Sequence, residues 1–297
     1  MGVILGLAGA LFWGTADFIA RFATRRVGTY RTSFYVNFSG FLLLCAYFAG
    51  AGGWNGLRAA GAGGWKPWAW GILAGLLNSG CSFAFYRAIE SGVLSVVAPV
   101  SSSFPALTLI LSLLSGESFH WRNGVGILAV LVGVILASVS SPAAGEVVAS
   151  DTSPHPTGPW TRGIGWAIAA ACGFGVMFWL LGFRVMPVLG GFASVWIIRL
   201  TTFSALGLIS FPIQQRLTVR RGKVWGLLAF TGILDTAAFL ANNFGLQRGP
   251  VAVVTVLASL YSAVTVVLAV MFLHERLRRI QWFGLALIFA GIVLVNL

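Results

Sequence analysis

Charge is what this chain has least of. Of its 297 residues only 9% are charged, where a soluble domain carries roughly 25%. Acids are rarest, with seven Asp and Glu in all, and the only lysines are Lys66 and Lys223. The three cysteines, Cys45, Cys81 and Cys172, each sit inside an apolar run. Their spacing builds neither a disulfide framework nor a zinc site. The three histidines, His120, His155 and His274, fall in expected loops and do not cluster, so a membrane-embedded enzyme built on His with acids or a metal is not expected. No GxxxxGK[ST] stretch occurs, so ATP hydrolysis would need a partner chain. The sequence therefore offers no catalytic residues, no metal ligands and no cofactor site. Nucleic acid is not an expected partner either. The net charge of +12 comes from arginines in short loops beside apolar runs, where they set topology and meet lipid phosphates.

What is abundant is apolar surface: 58% of residues are hydrophobic and the mean hydropathy is +0.91. Surface-to-volume scaling leaves no soluble fold able to bury that much. The expected class is an all-α polytopic membrane protein. Crossing the hydrocarbon takes about 20 apolar residues per helix. Ten such runs occur, near 3–21, 33–51, 69–87, 92–114, 122–140, 163–181, 191–212, 224–244, 250–272 and 280–296. They are too long, and alternate too little, for outer-membrane strands. The first run has no basic n-region and no small-residue cleavage site, so it reads as a transmembrane helix and not as a signal peptide.

One stretch occurs twice. Residues 92–136 match 249–294, with Gly92 on Gly249, Val96 on Val253, Ser102 on Ser259 and Thr108 on Thr265. After one inserted residue, Glu117 falls on Glu275, Gly126 on Gly284 and Gly133 on Gly291. An ordered Gly, Glu, Gly, Gly set is far harder to reach by chance than matching Val or Leu, and such repetition governs architecture. Earlier positions pair more weakly: Trp13-Gly14 with Phe174-Gly175, and Gly75-x-x-Asn78 with Gly232-x-x-Asp235. Between the copies, Ser138 to Thr161 is rich in Ser, Pro and Gly and reads as a linker. The expected organisation is a five-helix repeat over 1–140, a flexible linker over 141–162 and a second five-helix repeat over 163–297. An odd number of crossings per half forces the second to enter upside down, the inverted-repeat plan of many secondary transporters.

This pattern resembles the EamA family of the drug/metabolite transporter superfamily. The resemblance rests on the opening LFWG, the segment SGVLSVVAPVSSSFPALTLILSLLSGE with its central Pro105 and closing Gly116-Glu117, and the following helix with glycines seven apart. It spans both copies. The second copy departs from the pattern: Ser262 stands where the proline would be, and His274 replaces the Gly before Glu275. The family often carries an Arg early in the second helix of a repeat. Arg199 fits in the second half, while the first half has only Asn37 at about that depth. The resemblance implies a transporter of small metabolites, such as amino acids or related compounds, in the export direction. It also makes Glu117 and Glu275 turn acids that link helices.

Asp17 and Asp235 are the acids that fall inside expected spans, and Arg199 is the basic residue well inside one. A charge at that depth costs a few kcal/mol or more, so each should face protein or a water-filled cavity. Asp235 reads either as a protonatable carboxylate in the transport path, with protons as coupling ion, or as half of a buried pair with Arg199. Arg199 can hold a substrate anion through its planar fork or pair with Asp235. Asp17 shares a helix face with Arg21, four residues on, which suits a local pair, a gate or a substrate contact. Asn78 and Ser79 match Asp235 and Thr236 by the repeat, so both pairs can line one path, together with Trp13, Asn37 and Asn242. Phe85, Tyr86 and Tyr261 are further candidates for aromatic walls. Pro99 and Pro105, flanking Ser101–Ser103, free backbone carbonyls that Ser hydroxyls can compensate, which makes a hinge. Gly126, Gly133, Gly284 and Gly291 allow close helix packing.

The expected partners are a small-molecule substrate and the lipid bilayer, and the expected location is a bacterial inner membrane. The alternative is a non-transporting membrane scaffold or sensor, in which Asp235 matters to stability alone. Orientation receives two opposed signals. Thirteen basic residues fall in loops on the face away from the N-terminus and five on the N-terminal face, so the positive-inside rule puts both termini outside. The family resemblance implies both inside.

Overall fold

The computed structural model describes residues 1–50, 64–91, 100–118, 121–137, 163–219, 222–273 and 279–296, with Gly53 and Leu57. The described chain forms α1 (Gly2–Val27), α2 (Thr29–Gly50), α3 (Lys66–Ser91), α4 (Phe104–Leu114), α5 (Trp121–Ala137), α6 (Ile164–Leu180), a π-helical turn (Leu181–Val185), α7 (Met186–Ser210), α8 (Val224–Leu246), α9 (Val251–Ala258), α10 (Tyr261–Leu273) and α11 (Arg279–Asn296). The linker expected at 141–162 lies outside the described residues, as do Pro99 and Glu275 and the side chains of Arg21 and Tyr86.

Among the described residues, four helical stretches are long and apolar enough to cross a bilayer: Gly2–Thr24, Thr29–Gly50, Ile164–Ser210 and Val224–Leu246. Phe104–Leu114, Gly124–Gly133, Val251–Thr265 and Trp282–Gly291 are shorter apolar helices. Large apolar side chains point away from the protein, among them Leu128, Leu208 and Phe289 at more than 60% exposure, as suits helices that face lipid. Exposed tryptophans sit near helix ends at two levels, with Trp65 and Trp121 toward the N-terminal face and Trp166, Trp225 and Trp282 toward the opposite face. That is the aromatic belt of a membrane–water interface.

Three local expectations change. The turn expected at 88–91 is the last turn of α3. No extended loop separates the runs at 163–181 and 191–212. The chain stays helical through the π turn and into α7, then bends at Gly190, with φ 70° and ψ 178°. That region is open essentially to Gly alone. Gly190→Ala should therefore lower stability by about 1–3 kcal/mol, read as a fall in Tm, although a Cβ there would meet nothing closer than Gln247 Nε2 at 3.8 Å.

The third change concerns the hinge. The run at 92–114 breaks at Ser102–Ser103, and the run at 250–272 breaks at Ser259–Leu260, between α9 and α10. Pro105 follows the first break, in the opening turn of α4. The second break has no proline. What the two share is a serine turning its hydroxyl back onto the carbonyl three residues earlier, at the break: Ser103 Oγ to Val100 O and Ser259 Oγ to Val256 O, both at 2.7 Å. Hydroxyls that satisfy such carbonyls make an interrupted helix tolerable within protein at membrane depth.

Helix contacts recur in matched pairs. Thr108 Oγ1 donates to Gly175 O at 3.0 Å, and Thr265 Oγ1 donates to Gly14 O at 3.1 Å. A Cβ on Gly14 would press on the Tyr261 carbonyl, and one on Gly175 on the Phe104 carbonyl. Helix α1 packs on α8 and α10, while α6 packs on α3 and α4. Two pairs cross antiparallel. In α2 and α7, Phe34 meets Phe203, Phe41 meets Trp196 and Tyr47 meets Phe192. In α5 and α11, Gly133 lies against Gly284 and Gly291 against Gly126. Glycine at these positions lets two backbones touch, as small residues do in membrane helix pairs.

Candidate substrate cavity

Four helices converge on one buried cation. Arg199 of α7 is 1% exposed, and its Nη2 lies 2.6 Å from Asp235 Oδ2 of α8. Its Nη1 donates to Asn37 Oδ1 of α2 at 2.8 Å. Asn37 in turn donates its amide to Ser33 O at 2.9 Å, which fixes the amide oxygen toward the guanidinium. Trp13 of α1 donates Nε1–H to Asp235 Oδ1 at 2.9 Å, so both carboxylate oxygens are engaged. The Phe239 ring lies 4.7 Å from Arg199 Cζ, a cation–π contact. Gly40 borders the group: a side chain there would come within 3.2 Å of Arg199 Nε. A charge this deep is tolerable only when paired and hydrogen-bonded; α8 supplies the carboxylate and the ring, α2 the amide, and α1 the indole that holds the carboxylate.

The pair forms one wall of a cavity of about 100 Å³. Aromatic rings make most of the rest. Trp13 meets Phe239 edge-on at 5.0 Å and Phe178 at 5.8 Å, and Phe178 stacks on Phe104 at 5.2 Å. Phe104 and Tyr261, the first residues after the two helix breaks, both line it. Asp17, one turn beyond Trp13, also lines it. Among the described residues, the wall therefore carries two carboxylates and one guanidinium.

The cavity has a direction. Its lining runs from mid-depth (Trp13, Arg199) toward the face bearing the α1–α2 turn, through Ala20, Ser33, Ser82 and Phe85. At the other end, toward Gly2 and the α8–α9 turn, Leu181, Val185, Leu246, Val251 and Val254 are buried in contact with the core.

Of the residues expected in the path, the cavity brings together Trp13, Asp17, Asn37, Asn78, Arg199 and Asp235. Three lie outside its wall. Ser79 closes its hydroxyl on Gly75 O at 2.9 Å. Thr236 packs against Gly40, between α8 and α2. Asn242 is fully buried two turns beyond Asp235, beside Gly9 in the closed half. Asn78 does double duty, donating to Thr202 Oγ1 at 3.1 Å while facing the cavity. Sequence reasoning overlooked Ser33, Ser82 and Phe178. Phe178 had a signal, since it stands one turn from Phe174, the residue matched to Trp13. The two serines had none.

Comparison with known proteins places this geometry. The model of the EamA-like transporter family matches residues 1–139 and again 161–297. The chain belongs to the EamA-like transporter family. It is accordingly an integral membrane transporter of the drug/metabolite type. An uncharacterized protein of Methanocaldococcus jannaschii is 29% identical over 140 residues, which is 47% of this chain and 97% of that protein. An uncharacterized transporter encoded in the cobO 3′ region of a Sinorhizobium species is 35% identical over 74 residues, 25% of this chain and 52% of that one. A solved crystal structure shares the fold with a TM-score of 0.74 at 21% identity, covering 99% of this chain and 97% of the other. For an EamA-like transporter the cavity is the natural candidate for the substrate site, because its polar groups converge at mid-depth from helices of both matched segments.

Proposed function

We propose that the chain is a secondary transporter that exports small metabolites bearing an amino group, such as amino acids, by alternating access between two inverted five-helix repeats of ten membrane crossings. The observation that carries the substrate class is the cavity wall: a surplus carboxylate, Asp17, faces the neutralised Arg199–Asp235 pair across a box of aromatic rings. A cationic ammonium fits that surplus charge, and aromatic faces favour a cation as well as an apolar side chain. A proton can occupy the same surplus when substrate leaves, which makes the hydrogen ion the natural coupling ion. A substrate carboxylate would compete with Asp235 for the Arg199 fork.

The repeat reading is supported by the mirrored hydrogen bonds of Thr108 and Thr265, by the antiparallel crossings of α2 with α7 and of α5 with α11, and by an archaeal relative that one half of the chain covers almost completely. The cavity lining runs toward the face on which the sequence collects thirteen of the basic residues. By the positive-inside rule that face is cytoplasmic, the side from which an exporter loads; the arrangement implied by the family resemblance, with both termini inside, makes the same face external, the side on which an exporter releases.

The test is thermal unfolding of purified protein against amino acids, organic amines, sugars and nucleosides. Amino acids or amines should raise Tm; a ligand at 100 times its Kd contributes about 2.7 kcal/mol. Asp17→Asn should fold and lose the response, because Asp17 takes no part in holding Arg199. If sugars or nucleosides alone stabilise the protein, or Asp17→Asn responds like the parent, the assignment is wrong.

A further inference from the structure

Glu117 stands in the turn between α4 and α5, in the first matched segment, yet its carboxylate is spent on the second. Oε1 accepts the backbone N–H of Val251, and Oε2 accepts that of Ala252 at 3.3 Å. These are the first two amides of α9, whose own N-cap is Pro250, a residue with no side-chain acceptor to offer. Free amides at a helix N-terminus attract a carboxylate through both hydrogen bonding and the helix dipole. The contact sits where the cavity is shut. The Val251 side chain packs onto Gly182 in the π-helical turn, so tightly that a Cβ on Gly182 would overlap it. Leu246 and Val254 complete the same buried seal.

We infer that Glu117 is a latch for the closed end of the transport path: a positioning residue that caps α9 in the conformation seen here and must release Val251 and Ala252 for that end to open. The inference rests on the alternating-access reading. It goes beyond a turn acid holding its own loop, because the bonds cross from one matched segment to the other and end on the helix whose first residue packs the seal. Losing them removes stabilisation from one state alone, and an equilibrium moves only by the difference a contact makes between its two states.

The full-length protein tests this in lipid nanodiscs, with Cys45, Cys81 and Cys172 replaced by serine and one reporter cysteine added. Leu246→Cys reports the closed end and Ser82→Cys the open cavity, each read as its rate of reaction with a polar maleimide. Glu117→Gln should speed labelling at Leu246→Cys about tenfold and slow it at Ser82→Cys. Val251→Pro removes the same amide from the other side. Pro is tolerated at the first helical position, and Pro250 already holds the extended conformation (φ −56°, ψ 134°) that precedes a proline. It should shift both reporters in the same sense, and adding it to Glu117→Gln should change little more. If neither variant moves the reporters, or both reporters speed up together as in general loosening, the latch is wrong. The amino-acid panel described above contains no Glu117 variant, so the transport reading fails separately, through that panel.

Discussion

Asp235→Ala should cost about 3–5 kcal/mol of stability, because it leaves the Arg199 guanidinium buried without a counter-charge. It also strips the acceptor from Trp13 Nε1–H. Arg199→Met combined with Asp235→Leu should recover most of that loss, since a buried ion pair replaced by apolar groups of similar volume is often neutral or stabilising. Two measurements separate structure from function. Thermal unfolding in detergent should rank the single variant well below both the parent and the double variant. Flux of amino acids into proteoliposomes should be lost in the double variant despite its recovered fold. A double variant that still transports would make the pair structural and move the substrate site elsewhere in the cavity. A double variant as unstable as Asp235→Ala would mean that Asn37, Trp13 and Phe239 need the charges in place to pack at all.

Gly133→Ala and Gly291→Ala should each destabilise by about 1–3 kcal/mol, the cost of overpacking a close contact. Alanine normally gains up to about 1 kcal/mol over glycine inside a helix, so the sign itself is the result. A Cβ at Gly133 would stand 2.8 Å from Gly284 O and 2.9 Å from Ile288 N, and one at Gly291 would stand 2.7 Å from Gly126 O and 2.9 Å from Val130 N. These obstacles are backbone, which cannot swing aside as a side chain can. The two effects should be similar, and the double variant less than additive, because either methyl alone already pushes α5 from α11. Gly165→Ala, with nothing within 4 Å of its Cβ, is the control and should be neutral or stabilising. Thermal unfolding of the four variants decides. Neutral Gly133→Ala would mean that the α5–α11 contact is looser than the structure has it.

Much of this was legible in advance because membrane helices announce themselves. An apolar run of twenty residues has few ways to satisfy its backbone, so helical class followed from length. The pairing of Arg199 with Asp235 was legible as one of two options, since a lone mid-span Arg and Asp each need a partner. The way the helices end was not. Serine turned back on a carbonyl breaks the run before Tyr261 as effectively as the one before Phe104, where Pro105 had drawn attention. Thr236 and Ser79 matched by register, but Thr236 faces α2 and Ser79 turns back onto its own helix, because register gives a helix position and not the direction its side chain takes. Glu117 was legible as a turn acid and nothing more, since its partners are two backbone amides about 134 residues away, and amides leave no mark in a sequence.

Asn37 of α2 and Arg199 of α7 lie at about the same depth, and they touch at 2.8 Å. On the inverted-repeat reading, that contact lies on the axis relating the halves, where any residue meets its own image. Two identical chains assembled in opposite senses would confront arginine with arginine there, or asparagine with asparagine. Neither gives one guanidinium held by one amide. Asp235 and Asn78 pose the same problem a turn away, with one carboxylate where symmetry would demand two or none. On that reading, a single guanidinium held by a single amide and a single carboxylate is a chemistry that joining the copies into one polypeptide makes reachable, because only then can the two positions mutate apart.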